Sequence, residues 1–409
     1  MNSMTTPSSP SSVDLSRGAS FANGFPHEFF SWLREHDPVH WHEPTEHTAG
    51  GEGFWVVSRY EDVAYVIRNP QLFSSGAAGG RKGGGTALED HEDIVNIVLN
   101  FTDDPKHRRL RGLISQGFTP KAIKNLQAEM EERAHRLFDQ VPDLQHFDFV
   151  RHVARELPLQ MICSLLGVPL DERAELVDWV DQGLASDKGD VMDPESRAKL
   201  RRYGADLIEK KRRAPADDIL STLIAARFEE DGSQLTDQEL LGFFSLLFPA
   251  GAETTRSALG GAVKAFAELP EQFERLKNDA ELTRSAIEEI VRWTTPSIYK
   301  RRTAVEDTEL GGRKIRRGDK VTHWEMSANR DGRAFTNPFA FDVGRWPNKH
   351  LGFGAGVHFC LGASLARMEI QVVLDVLTER FQQFEIVGDH AWMPNNRLLG
   401  LTKLEICAA

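Results

Sequence analysis

One stretch limits the fold more than any other. From Gly352 to Gly362 the chain runs through a glycine-rich loop, places a single cysteine, Cys360, near its end and then resumes helical spacing. Gly352, Gly354 and Gly356 permit backbone conformations closed to other residues and let something bulky approach the main chain. Leu361, Leu365, Met368, Val372 and Leu377 return at helical intervals, which puts Cys360 at a helix N-terminus. Unpaired N–H groups and the positive end of the helix dipole there favour a thiolate over a thiol, and a thiolate on an open loop can ligate a soft or redox-active metal. The plain alternative is a small buried hydrophobe.

The chain of 409 residues, 40% hydrophobic, is long enough to bury a large core, and length alone allows more than one domain. A formal net charge of -12 argues against general nucleic-acid affinity. The three cysteines, Cys163, Cys360 and Cys407, are too few and scattered for a disulfide framework or a zinc cluster and fit a reducing cytoplasm. Residues 1–20, rich in Ser, Thr and Pro, read as a disordered tail, neither signal peptide nor anchor. The longest apolar stretch, Leu240 to Ala252, contains Ser245 and Pro249 and falls short of the ~20 residues that span a bilayer, so no membrane association is expected.

Pro26–His36 reads as a helix, Phe54–Val57 as a strand and Tyr60–Arg68 as a helix. Ser74–Thr86 holds six glycines and two alanines, a composition that buries little and predicts a mobile loop, either a lid or a solvated linker. Helical patterns fill Pro105–Phe228, with breaks at Pro120, Pro142, Gly167–Pro169 and Gly189, and Val150–Leu166 reads as a mostly apolar core helix. Thr236 with Glu239 makes a capping box that opens a long helix. Short strands with turns at Gly311-Gly312 and Arg317-Gly318 follow late in the chain. The result is a mainly α protein with small β-sheets.

Three further motifs carry chemistry. Leu240–Phe266 is an apolar helix interrupted by Pro249-Ala250-Gly251-Ala252-Glu253-Thr254. Pro249 removes a backbone donor and clashes with the Ser245 carbonyl, and small Ala250 and Gly251 open space, so a local groove is expected. Taken alone, Thr254 back-bonds within its helix and Glu253 faces water. Glu289 and Arg292 lie three apart on one helical face, the spacing of an ordinary salt bridge. Asp104 opens a basic helix in which His107 and Arg111 share a face.

Phe353-x-x-Gly356-x-His358-x-Cys360-x-Gly362 resembles the haem-binding loop of the cytochrome P450 family, and the other motifs occur in that family's order. The resemblance covers about Phe25 to Ile406 and implies one cytochrome P450 domain over 21–409, with haem b (iron protoporphyrin IX) between the long central helix and the cysteine-loop helix. It implies that Cys360 is the axial thiolate, the ligand type that favours O–O cleavage. Phe353, Gly354 and Gly362 would shape the loop, and Ala250 and Gly251 would face the haem. His107, Arg111, Arg302 and His358 would pair its propionates, anions that demand cationic donors on entering a buried site. Glu253 and Thr254 would deliver protons to bound oxygen. Glu289, Arg292 and Arg345 would brace the thiolate loop.

The positions matching the family's substrate pocket, Leu246, Pro249, Ile298, Tyr299, Leu398 and Leu399, are mostly apolar and uncharged. They imply a hydrophobic substrate held by shape, such as a terpenoid, steroid or fatty acid. The implied reaction reduces O2 with two electrons and two protons, inserting one oxygen atom into an unactivated C–H bond and releasing the other as water. Lys106, Arg108, Arg109, Lys349 and Arg367 would dock an acidic ferredoxin fed by an NAD(P)H-dependent reductase. Two other readings stay open at this point: a peroxygenase using hydrogen peroxide, and a haem-based sensor or carrier without turnover.

Overall fold

The computed structural model describes residues 13–118, 120–184 and 193–408. Most of them are helical, and the helices pack around one long rod. That rod starts at Asp237, where the Thr236 hydroxyl accepts from the Glu239 N–H and the Glu239 carboxylate accepts from the Thr236 N–H, the capping box expected. It runs as α-helix to Phe248, passes through a π-turn at Pro249–Glu253 and continues as α-helix over Thr254–Glu268. The break has its cause in Pro249, which cannot donate to the preceding turn. Against this rod pack the helices Glu156–Leu166, Thr283–Thr294 and Ala363–Arg380. Val150–Ala154, expected to begin an α-helix, is itself π-helical, and Gly167 closes the following α-helix with φ 69°. Pro120 opens a helix, Pro120–Asp139, where its missing N–H costs nothing. The break expected at Gly189 lies outside the described residues.

Strands gather at the other side of the molecule. A five-stranded sheet has the order Val39–His42, Phe54–Val57, Lys320–His323, Lys300–Ala304, Phe73–Ser74, antiparallel except where Phe54–Val57 meets Lys320–His323. Within it Lys300 faces His323 and Arg302 faces Val321. Strand alternation therefore turns Lys300 and Arg302 to one face and Arg301 and Thr303 to the other. A three-stranded sheet pairs His146–Asp148 and Phe384–Ile386 with Glu405–Ala408, and Gly311-Gly312, both at positive φ, turn a short hairpin.

Two expectations are corrected. Residues 1–12 of the supposed tail lie outside the described residues, but Val13–Ser20 is built into the fold. Leu15 is fully buried, its N–H donates to His42 Nε2 at 3.0 Å, and Asn396 donates to the Leu15 and Ser16 carbonyls. Burying that leucine contributes about 2 kcal/mol. It joins an aromatic cluster of Phe21, Phe25, Phe30, Tyr299 and Trp324 that a reading of local composition could not anticipate. The glycine-rich loop also buries more than its composition predicts. A Cβ at Gly85 would stand 2.2 Å from the Phe101 ring and one at Gly79 2.4 Å from the Ala304 carbonyl, so these glycines serve close approach.

Candidate active site

The cysteine loop is held from its first residue. Asn329, buried, donates to Thr295 and accepts from the Leu351 N–H, and a Cβ at Gly352 would strike Val291 at 2.7 Å, so the loop leaves the Thr283–Thr294 helix in close contact. Gly354 and Gly356 turn it at φ 69° and 64°, and the Cys360 N–H donates back to the Phe353 carbonyl at 2.9 Å. Phe359 and Val357 beside the sulfur keep open apolar surface, and nothing stands within 4 Å of a Cβ built on Gly362.

The helix begins at Ala363, so Cys360 precedes it rather than capping it. Burial pushes the Cys360 thiol above its ordinary value, only partly offset by the Gly362 N–H and by Lys300, Arg111 and Arg367. The expectation that the helix terminus alone makes a thiolate is corrected: a coordinated metal ion would have to supply the deprotonation, as such ions do.

Beside the sulfur lies a cluster of cationic and titratable side chains whose one carboxylate contact among the described residues is a long one, His107 Nδ1 to Asp104 at 3.8 Å. Arg302 is buried and makes one side-chain hydrogen bond, to its neighbour's carbonyl at 2.9 Å. Neither Arg302 nor Arg111 has a carboxylate within ion-pairing distance among the described residues. The rings of His107 and His358 approach to 4.2 Å between centroids. The Nε2 atom of His107 is buried without a partner, and that of His358 meets Ser75 Oγ at 3.2 Å. Burial and then Arg302, His107 and Arg111 drive His358 down to about 2, while burial takes Arg302 down to about 10. An open cavity of about 380 Å³ is bordered by His107, Arg111, Gly356 and Val357. The four groups thus crowd one place and repel one another, which a pair of acid groups would relieve. A single sulfur and an anion-poor cationic cluster fit an iron porphyrin dicarboxylate, and of the residues expected around one the structure brings His107, Arg111 and His358 together, with Arg302 bearing on both histidines.

Ser75, at the start of the glycine-rich loop, was missed in the sequence. Asp103 anchors that loop, accepting from the Ser75 N–H at 3.0 Å and the Gly76 N–H at 3.1 Å. No local pattern links Asp103 to a loop nearly thirty residues earlier. Lys300 was also missed. Its ammonium, on the face shared with Arg302, donates to buried Glu325 at 2.6 Å, and its influence reaches Cys360.

On the central helix the π-turn leaves Ala250 exposed and Leu246, Pro249 and Thr254 half-buried, while Ala252, Glu253 and Thr255 are buried. The turn thus keeps open surface at Ala250, and Gly251 does not contribute to it. A Cβ there would meet Ile162 at 2.4 Å, so its small size serves packing against Glu156–Leu166. Thr254 Oγ1 donates to the Ala250 carbonyl at 2.7 Å. Glu253, 1% exposed, does not face water but is ion-paired with Arg256 one turn on. Glu369 of the cysteine-side helix reaches Thr255 and is pushed up to about 8 by burial, tying the two helices together at the turn.

Glu289 and Arg292 are both fully buried and doubly bonded, at 2.7 and 2.8 Å. Arg345 adds a 3.0 Å contact and Asn348 another to the same carboxylate, and Arg292 also donates to the carbonyls of Asn329, Pro338 and Ala340. Every partner lies on the segment leading to the cysteine loop.

Two expected sets change. Ile298 and Tyr299 are fully buried and Leu399 nearly so, all in the aromatic cluster, with Tyr299 4.7 Å from Trp324. Only Leu246, Pro249 and Leu398 of the expected pocket keep open surface. Among the proposed docking cations, Lys106 pairs with Glu239, Arg109 with Asp231 and Arg367 with Glu288. Arg108 also pairs, with Asp104, but remains 82% exposed at its side chain, and Lys349 is exposed. No helix among the described residues is long and apolar enough to cross a membrane.

Comparison with known proteins agrees with this geometry. A family model described as cytochrome P450 matches residues 195–406. Cytochrome P450 126 of Mycobacterium tuberculosis is 46% identical over 98% of this chain and 99% of its own length. A steroid C26-monooxygenase of Rhodococcus jostii is 38% identical over 98% of this chain and 85% of its own. The crystal structure of a Mycobacterium marinum cytochrome P450 in complex with pseudoionone superposes with a TM-score of 0.86 at 32% identity, covering 98% of this chain and 99% of that one. With a helix-rich fold, small sheets and a cysteine loop shared with such enzymes, the chain belongs to the cytochrome P450 family of monooxygenases.

Proposed function

We propose that the chain forms a single cytoplasmic domain, Val13–Ser20 included, that hydroxylates a hydrophobic substrate, with haem b held by Cys360 and electrons passed from NAD(P)H through a ferredoxin system. The observation that carries the reading is the juxtaposition of one sulfur with two histidines and two arginines, Arg302 and Arg111, that have no carboxylate within ion-pairing distance among the described residues. Haem, when bound, supplies the iron at which O2 is activated and one oxygen atom is transferred to carbon. Cys360 would ligate the iron, and Arg302, Arg111, His107 and His358 would pair its acid groups. Phe353 and Gly354 keep the loop folded against the sulfur, and Gly362 leaves room beside it.

The central helix handles the proton. Thr254 spends its own proton on the Ala250 carbonyl, so its oxygen can accept a hydrogen bond from a protonated group on its open side, and it would relay a proton by turning its hydroxyl off Ala250 as it receives another. Glu253 supplies that donor only by leaving Arg256, which makes the acid a gated one. Leu246, Pro249 and Leu398 would bound an apolar space, in keeping with a relative named for steroid oxidation and a neighbour solved with pseudoionone. A terpenoid or steroid is the substrate class we favour. Arg108 and Lys349 are the cations free enough to meet a ferredoxin.

The reduced, carbon monoxide-bound spectrum of the wild type and of Cys360→His tests the ligand. A red-shifted thiolate band present in the first and lost in the second is expected, and an unchanged band in the variant would overturn the assignment. With a surrogate reductase, Thr254→Ala should divert most electron flow to hydrogen peroxide, about tenfold less product forming per NAD(P)H. Unchanged coupling would remove Thr254 from the relay.

A further inference from the structure

A second cavity, of about 340 Å³, opens between the helices Pro120–Asp139, Glu156–Leu166 and Arg173–Leu184. The Glu156–Leu166 helix separates it from the central rod, since Ile162 points to Gly251 while Glu156 and Gln160 line the cavity. In a chain of net charge -12, four guanidiniums converge here, those of Arg133, Arg136, Arg155 and Arg173, against two lining carboxylates.

Three of the four are engaged. Arg133 pairs with Glu129 at 2.6 Å, Arg136 with Glu132, and Arg155 with Asp178 at 3.2 Å. Arg173 differs. Among the described residues its guanidinium donates only to main-chain carbonyls, of Val168 at 3.1 Å and Gln160 at 3.4 Å, and has no carboxylate within ion-pairing distance. Burial and then the neighbouring Arg133 hold it below the ordinary arginine value, offset in part by the more distant Glu129. Gln140 and Gln160 add neutral polar groups to the lining, and its apolar part is Leu137 and Val177, both buried, with Ala174 and Leu170, the last 70% exposed.

We propose that this cavity binds a small amphiphile, a monocarboxylate with a short apolar body, at a site separate from the cysteine loop. The planar carboxylate matches the fork of Arg173, and the body covers Leu170 and Val177. Glu156 and Asp178 set the charge of the ligand, because they would repel a dianion such as phosphate while one spare guanidinium suits a single negative charge.

Octanoate is the probe. Calorimetric titration into the haem-loaded protein, with the Soret band followed in parallel, should show a binding event that leaves the band unmoved. Arg173→Gln should weaken that event about tenfold or more, the loss of one charge-assisted pair. Ala174→Trp, on an exposed lining position where a large ring does not enter the core, should abolish it. Octan-1-ol and inorganic phosphate should not bind there. The proposal is overturned if octanoate does not bind, if its heat always accompanies a Soret shift, if both variants bind as the wild type does, or if octan-1-ol matches it.

Discussion

The brace around Glu289 and the cluster around His358 both bury arginine, yet they treat it in opposite ways. In the first, one carboxylate accepts from Arg292, Arg345, Asn348 and the Asp342 N–H, and the remaining guanidinium hydrogens find carbonyls. In the second, Arg302 and Arg111 have no carboxylate within ion-pairing distance among the described residues, and with burial they lower the proton affinity of His107 and His358 beside them. A buried charge is tolerated when its bonds are complete and costs several kcal/mol when they are not. Completeness therefore separates residues that hold the fold from residues that await a ligand.

The contrast can be broken most directly at the brace. Arg292→Ala should cost about 3–5 kcal/mol in denaturant unfolding, because it strands Glu289 in a dry site. A loss under about 1 kcal/mol would mean the network is no more than a surface pair. Arg302→Leu should do the reverse in the haem-free chain, leaving stability unchanged or raising it by about 1–3 kcal/mol. The same variant, once loaded, should lose haem to a scavenging apoprotein about tenfold faster. Destabilisation of the haem-free chain instead would place Arg302 with the brace.

Glu369 sharpens the comparison at smaller scale. Its folded-state value is pushed up to about 8 by burial, so the folded chain keeps a proton that the unfolded chain releases above its ordinary value of 4.5. Stability should fall as pH rises from about 4.5 to about 8 and level off beyond. Glu369→Gln should flatten that slope and gain about 1–3 kcal/mol at pH 8 relative to pH 5. An unaltered slope in urea titrations at the two pH values would show that the carboxyl is ionised in the fold.

Residues that act through their sequence neighbours were the legible ones. The capping box at Thr236, the break at Pro249 and the spacing of Glu289 and Arg292 follow from bonds closed within one helical turn. The cysteine loop was legible because its glycines and its sulfur lie within eleven residues. What failed depended on the opposite wall. Gly251 is small because of Ile162, Gly85 because of Phe101, and Tyr299 turns inward because Trp324 and Phe30 wait there. Lys300 reads as an ordinary strand lysine until its pairing with His323 and the position of Glu325 are known.

The π-turn at Pro249–Glu253 works as a counting device. A helix advances about 100° per residue, and a π-turn carries one residue more than the α-helical turn it replaces. The two halves of the rod are thus out of phase by one position. Deleting a single residue there would straighten the helix and improve its hydrogen bonding, yet it would pivot Thr254 and every residue after it by about 100°. The Ile162 side chain would then face a neighbour other than glycine, and the threonine would leave the open stripe. The rod trades regularity for phase, and its chemistry depends on the phase.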